Sequence, residues 1–384
     1  MRKNLKTDGI LHLNLFNQHW TRSMLPGIAR VLRLYSEYAL MNHPREQAPG
    51  ILEQSMLRPA GFLGLVYGED SKLREVLRAR DIPAVNMSGM DPPEEIPAVF
   101  VDNRAVGRMA AEHLLKLGPR HFACLDVGDN RLSNLRCGGF QERIREEMPE
   151  MEVPRLGGTT KHFVTALAAL PRPLALFCVT DNRARAAANA VLSLGLRIPG
   201  DVAIVGVDND PFECEMIRVP LSSVVVPFEE IGAKAMETML TLLRGETPDS
   251  WVREIPPSHV VTRHSSDPRV FDDELVTRAV RILRQPRAKP LNVAGLAAAL
   301  GVSRRTLEIR FRNAGAGTAH SLIHEMRMER AAALLKDSQL SVADVSRAIG
   351  IQDHRRFGQL FLERYGQTPG QFRRSAECGV RSDE

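Results

Sequence analysis

The chain has 384 residues and a formal net charge of +5, enough length for two or three domains and a large buried core. No stretch approaches the roughly 20 consecutive apolar residues of a membrane helix. The five cysteines (Cys124, Cys137, Cys178, Cys214 and Cys378) show neither C-x-x-C spacing nor neighbouring histidine pairs, which argues against a zinc site or a disulfide framework. The charge is unevenly placed. From Arg269 to the end there are 20 Lys+Arg against 13 Asp+Glu, and the rest of the chain carries 31 against 33. Basic charge on the last third suits attraction to phosphate, although a solvated basic surface gives the same count. The first residues are basic, but His12 and Asn14 interrupt the apolar run Ile10 to Phe16. That run is no signal-peptide core, so the chain is expected to be cytoplasmic.

From Ile10 to about Ser258, short apolar runs alternate with helical patterns. The strand candidates are Ile10 to Phe16, Gly61 to Tyr67, Ala84 to Met87, Ala98 to Val101, His121 to Val127, Ala175 to Val179 and Val202 to Val207. Helices are expected at Met24 to Tyr38, Ser71 to Ala79, Val106 to Leu117, Cys137 to Glu147, Arg183 to Leu194 and Phe228 to Leu243. Strands buried on both faces and separated by helices predict doubly wound parallel sheets, and nearly 250 residues of the pattern predict two lobes. Cys124 and Cys178 fall on apolar strand positions.

Several segments are more specific: Pro97 to Asn103 (PAVFVDN), Gly107 with AAEHLLKLG after it, Arg136 to Phe140 (RCGGF), Val179 to Asp181, and GLRIPGDVAIVGVDND. Over residues 10 to 245 they resemble a LacI-type effector domain. That resemblance implies two periplasmic-binding-protein-like lobes with a sugar or nucleobase in the cleft. The LacI family carries a helix-turn-helix ahead of this domain, whereas here the first strand comes at once.

Recognition of a sugar needs planar charged groups for adjacent hydroxyls and an aromatic face for the ring. Arg136 precedes a Gly-Gly that would let backbone approach the cleft, and it matches the family's sugar-binding arginine. Asp208 follows an apolar strand, at the end where open α/β sheets bind ligands, and matches a ligand-binding aspartate. Trp20 and Arg22 stand after the first strand, where the family places a ring-stacking residue and a polar contact. Otherwise the arginine and aspartate pair with each other and Trp20 is a half-buried wedge. Asp181 is a further candidate, with Asn182; the family's Asn-Asp is Thr180-Asp181 here, and N-capping of the helix from Arg183 is the competing role. Asp102 and Asn103 either fix the turn after their strand or bind ligand.

Residues 259–272 are polar, include Pro268 and read as a linker. The domains are therefore expected at 1–265 and 266–384. In LNVAGLAAALGVSRRTLEIRFRNAGAG, an apolar run (Val293, Leu296, Ala297, Leu300) ends at Gly301, and Ser303 is the expected N-cap of a second helix with Leu307 and Phe311 inward. A linker helix, Ser321 to Lys336, leads to a second such unit: Val342, Val345 and Ile349, a stop at Gly350, then Phe357, Leu360 and Phe361 on one side. Thr368-Pro369 begins a last helix. Two helix-turn-helix units, at about 291–313 and 340–365, suit a reader of two successive major grooves. This second unit resembles that of the AraC family, and the whole order resembles the XylR group, xylose-responsive activators of that family.

The expected DNA contacts are Arg304, Arg305, Thr306 and Glu308 in the first unit, and Gln352, His354, Arg355 and Gln359 in the second, with Arg356 less well placed. Arginine reads guanine and glutamine adenine, though either residue also holds phosphates. Ile309 stands where relatives carry a base-reading cation, and is read as a thymine-methyl contact or none. Phe311, Phe357 and Phe361 are core. The chain is thus expected to be a sugar-responsive transcription regulator, an activator answering to D-xylose or a similar pentose. Its expected partners are an operator in double-stranded DNA, a second copy of itself and RNA polymerase, with no membrane and no cofactor. The alternatives are a purine- or hexose-responsive repressor, or a sugar isomerase or hydrolase using Asp181 and Asp208. Against the enzyme, no G-x-S-x-G elbow, phosphate loop or metal-ligand cluster occurs.

Overall fold

The apolar runs before residue 267 assemble into two sheets. A computed structural model of the chain describes residues 8–15, 19–35, 37–158, 160–267, 273–284, 290–314, 318–337 and 340–374. The first sheet holds β1 (Ile10–Leu13), β2 (Ala39–Asn42), β3 (Gly61–Gly64), β4 (Ala84–Asn86), β5 (Ala98–Val101) and β11 (Val252–Ile255). The second holds β6 (His121–Leu125), β7 (Arg155–Leu156), β8 (Leu174–Cys178), β9 (Val202–Val207), β10 (Ser222–Val224) and β12 (Val260–Val261). Their orders, β2-β1-β3-β4-β5-β11 and β7-β6-β8-β9-β10-β12, repeat one doubly wound plan. All pairings are parallel except β10 with β12. The expected two-lobed parallel fold is therefore present, and the chain crosses between lobes after β5, after β10 and after β11.

The helices of this unit are α1 (His19–Arg22), α2 (Leu25–Leu32), α3 (Ala48–Gln54), α4 (Ser71–Ala79), α5 (Asn103–Leu115), α6 (Arg131–Glu147), α7 (Thr160–Ala169), α8 (Asp181–Ser193), α9 (Pro211–Glu215) and α10 (Phe228–Leu243). One pair in each lobe packs backbone to backbone. A Cβ on Gly107 of α5 would fall closer than 3.0 Å to the carbonyl oxygen of Arg136 in α6, and one on Gly139 would strike that of Arg104. Gly27 and Gly232 do the same for α2 and α10.

Three expectations change here. The helix expected from Cys137 begins at Arg131, because Asn130 caps it by accepting from the Ser133 N–H at 2.9 Å. Arg136 is therefore helical; Gly139 of its Gly-Gly serves the helix crossing and Gly138 faces open space. The helix from Met24 stops at Leu32, making room for the edge strand β2. The linker expected at 259–272 is not one as far as Asp267. Val260–Val261 pairs with β10, and Ser265, Ser266 and Asp267 are fully buried. Ser265 Oγ donates to the Ile204 carbonyl and accepts from the Ser222 N–H, which satisfies polar groups that would otherwise oppose burial. Residues 268–272 lie outside the described residues, as does Cys378; the other four cysteines are free and buried.

The chain divides into the units Met1–Asp267 and Pro268–Glu384. The second contains α11 (Glu274–Arg284), α12 (Val293–Leu300), α13 (Arg304–Asn313), α14 (Ala319–Asp337), α15 (Val342–Ala348) and α16 (His354–Tyr365). Leu296, Leu307 and Phe311 centre one cluster; Val345, Ile349, Phe357 and Phe361 centre another. Gly301 at φ +71° and Gly350 at φ +77° make the two turns, a left-handed conformation that costs other residues a Cβ clash.

Adding a methyl group tests the helix crossing. Gly138, beside the crossing but facing open space, should gain up to ~1 kcal/mol as Gly138→Ala through helix propensity. Gly107→Ala should instead lose ~1–3 kcal/mol to overpacking. Denaturant midpoints for the two variants should move in opposite directions; equal midpoints would contradict the crossing.

Candidate functional site

In each lobe the strand order turns at the pairs β1/β3 and β6/β8, and ligands of such sheets sit beyond the carboxyl ends of the strands. The second lobe places its ionisable groups there. Arg136, on the second turn of α6, is 3% exposed. Its Nε donates to Asn103 Oδ1 at 2.8 Å, and its Nη1 donates to the Val179 carbonyl at the end of β8. Its Nη2 stands 3.8 Å from Asp208 Oδ1. Charge-assisted hydrogen bonds run nearer 2.7–2.9 Å, so this ion pair lacks a direct bond and both groups keep capacity for adjacent hydroxyls.

Asn103 is the residue that sequence reasoning undervalued. Asp102 does the turn work, capping α5 by accepting from the Ala105 N–H at 2.9 Å, and thereby frees Asn103 to point at Arg136. The available signal was the polar pair at a strand end; nothing local told the two apart.

Asp208 ends β9 at φ +104° and Asn209 follows at φ +52°. Three neighbours hold this strained turn. The Asn209 N–H donates to Ser223 Oγ at 2.9 Å, the Asp210 N–H donates to Asp181 Oδ2 at 2.8 Å, and Arg263 Nη2 donates to Asn209 Oδ1 at 2.8 Å. Arg263 also reaches the Leu221 carbonyl at 3.0 Å. Arg263, unmentioned at the sequence level, thus ties the segment after β12 to the turn carrying Asp208.

Asp181 has a different place from the one expected. Thr180, not Asp181, caps α8, its hydroxyl accepting from the Arg183 N–H. The Asp181 carboxyl is 1% exposed; besides the Asp210 N–H it accepts from Ser223 Oγ at 2.6 Å. Burial, reinforced by the Asp208 charge, pushes its pKa up to about 8. Asp208 rises to about 6, raised by burial while Arg136 opposes the rise. Asn182 lies 3.4 Å from Glu213. Trp20 and Arg22 sit in the short helix α1 rather than a loop; residues 16–18 before it lie outside the described residues. Trp20 is half-buried, tilted against Phe228 with ring centroids 6.2 Å apart, and Arg22 is exposed.

In the second unit, the Ser303 hydroxyl accepts from the Thr306 N–H at 3.0 Å, and Asp353 caps α16. Leu307 and Phe311 of α13 match Phe357 and Phe361 of α16 in position, all fully buried. The opposite faces are therefore equivalent: Arg305, Thr306 and Ile309 in α13, and Arg355, Arg356 and Gln359 in α16, all exposed. Ile309 keeps 44% of its surface, the centre of its outward face. Arg304, Gln352 and His354 are also exposed, beside those faces, and Glu308 is half-buried. Among the described residues no helix is long and apolar enough to cross a membrane, and no three His, Cys, Asp or Glu converge as metal ligands.

Residues 111–266 match the periplasmic binding protein-like domain family, and residues 296–375 match a helix-turn-helix domain family. The xylose operon regulatory protein of Haemophilus influenzae is 28% identical over 320 residues, covering 79% of this chain and 83% of its own. The Escherichia coli K12 protein of that name is also 28% identical, over 79% of this chain and 82% of its own. A solved structure of the xylose-binding transcription activator xylR shares the fold at a TM-score of 0.57 and 24% identity, over 95% of this chain and 98% of that one.

The raised carboxyl pKa values set a pH dependence. A carboxyl whose pKa is higher folded than unfolded stabilises the fold fully below the unfolded value near 4 and loses that contribution as pH rises through the folded value. Stability should fall between pH 4 and 6 through Asp208, and on to pH 8 through Asp181. Asp181→Asn should flatten the profile above pH 6 and be the more stable protein at pH 8. Urea melts across that range check it, and a profile identical to the parent's would mean that Asp181 is ionised in the fold.

Proposed function

We propose, for a chain that is an XylR-like regulator of the AraC family, with a periplasmic-binding-protein-like effector domain joined to an AraC-type double helix-turn-helix, that the effector is D-xylose or a related pentose and that the protein is an activator. It is a DNA-binding, sugar-responsive transcription regulator similar to the xylose operon regulators, and not an enzyme. The observation that carries the effector reading is the buried Arg136 facing Asp208 across 3.8 Å at the strand ends. Two such groups hydrogen-bond vicinal hydroxyls, and Trp20 offers a ring face from the other lobe. Asp181, its oxygens already engaged, supports the site from behind. The relatives matched across both domains are xylose operon regulators, which favours a pentose over a purine or hexose.

In this reading the effector binds the closed arrangement of lobes better than the open one, and that difference in affinity drives closure. Closure alters how a homodimer presents its two double helix-turn-helix units to a repeated operator and to RNA polymerase in the cytoplasm. Arg305 and Thr306 with Arg355, Arg356 and Gln359 then face base edges and flanking phosphates. Ile309 meets a thymine methyl, and Arg304, Glu308, Gln352 and His354 act at the margins.

A thermal-shift screen with pentoses, hexoses and purines tests the effector, since a ligand at 100 times its Kd adds roughly 2.7 kcal/mol to the folded state. D-xylose should shift the parent and leave Arg136→Ala and Asp208→Asn unmoved, while both variants keep basal DNA binding. A shift from a purine alone would overturn the pentose. Xylose affinity should also weaken as pH falls through about 6, where Asp208 loses its charge. Calorimetric titrations at pH 5 and 7 measure this, and equal affinities would remove the ionised carboxylate from the binding reaction.

A further inference from the structure

We propose that the cavity between the first turn of α12, the start of α13 and the first half of α14 seats a backbone phosphate of bound DNA, with His320, His324 and Arg327 as its ligands and Arg304 at its mouth. The proposal rests on the DNA-binding reading and adds a site to it. The cavity has a volume of about 310 Å³ and is also lined by Asn292 and Ile323. Among its described lining residues several are basic or histidine and none is acidic. His320, His324 and Arg327 fall at helical spacings of four and three, so they share one face of α14.

Two of these groups are incompletely satisfied within the protein. His324 Nε2 and Arg327 Nε are buried without a hydrogen-bond partner, and a buried polar atom left unpaired costs about 1–3 kcal/mol. An anion in the cavity would supply the missing acceptor. Arg327 is held in place by donating from Nη2 to the Leu291 carbonyl at 3.0 Å, just before α12 begins. The nearest acid on the same helix, Glu325, is drawn off by Arg364 at 3.1 Å. The first turn of α12 adds the positive end of its dipole, the feature by which helix N-termini receive phosphates.

The groups facing His324 set its charge. Burial lowers its pKa, and His320 and Arg327 on α14 and Arg356 from α16 lower it further, against Glu363. A phosphate would reverse that balance and favour proton uptake on binding. A contact of this kind fixes register on the duplex and reads no base.

The test uses the full chain and unrelated duplexes, with affinity measured by anisotropy from 50 to 300 mM salt and at pH 6 and 8. His324→Gln, which keeps a donor and forfeits the charge, and the double variant His320→Ala with His324→Ala are compared with the parent, all with thermal midpoints recorded. The double variant should lose affinity by about tenfold, equally on every duplex, and lower the slope of log K against log salt by about 1. The parent should bind more tightly at pH 6 than at pH 8, and His324→Gln should show a smaller gain. Normally melting variants with parental slope and affinity overturn the site, as does a loss confined to one base pair. A parent that binds no duplex at 50 mM salt removes the DNA-binding reading itself.

Discussion

The second lobe is organised around one buried cation. Leaving the Arg136 guanidinium in the interior without partners would cost several kcal/mol, so the fold has to deliver acceptors to it. Two come from elements remote in sequence, Asn103 at the start of α5 and the Val179 carbonyl after β8, and Asp208 after β9 adds an opposite charge at 3.8 Å. The Asn103 contact requires α5 and α6 to touch at backbone distance, which only glycine at positions 107 and 139 permits. The equivalent crossing of α2 and α10 shows the same solution in the first lobe.

Environment separates the two carboxyls that flank this cation. Asp208 retains 18% side-chain exposure and lies at ion-pair distance from Arg136. Asp181 is sealed behind it, bonded to a hydroxyl and a backbone N–H. The same residue type therefore serves one position as a partly exposed ion-pair partner and the other as a buried acceptor that braces the turn. Holding Asp208 and Asn209 at positive φ costs of order 1–3 kcal/mol each, and the braces from Asp181, Ser223 and Arg263 over-determine that turn.

In the DNA-binding unit a single scaffold is used twice with different outward chemistry. Leu307 and Phe311 anchor α13 as Phe357 and Phe361 anchor α16, so both helices are held by the same positions. What faces outward differs: a cation, a hydroxyl and an isoleucine in one, two cations and an amide in the other. Under the proposed function, equal cores with unequal faces would let the two units meet different half-sites. The basic excess of the last third suits a polyanionic partner.

The sequence by itself determined whatever is decided within one or two turns of chain. Buried apolar runs marked β1, β3, β4, β5, β6, β8 and β9, and Gly301 and Gly350 marked the turns, Ser303 the cap, and the paired phenylalanines the core of α16. It also marked Arg136 and Asp208 through the motifs around them. It missed β10 and β12, whose serine-bearing segments read as loops, and the short edge strands β2, β7 and β11. Ser222 and Ser223 are fully buried only because Arg263 and Asp181, some forty residues away, complete their hydrogen bonds. The same long-range accounting buried Asp181 against Ser223 and the Asp210 N–H, chose Asn103 over Asp102 as the partner of Arg136, and gathered His320, His324 and Arg327 beside Arg304. Local propensity follows from neighbours along the chain, whereas the placing of a buried polar group depends on the partner that satisfies it, and only the tertiary structure supplies that partner.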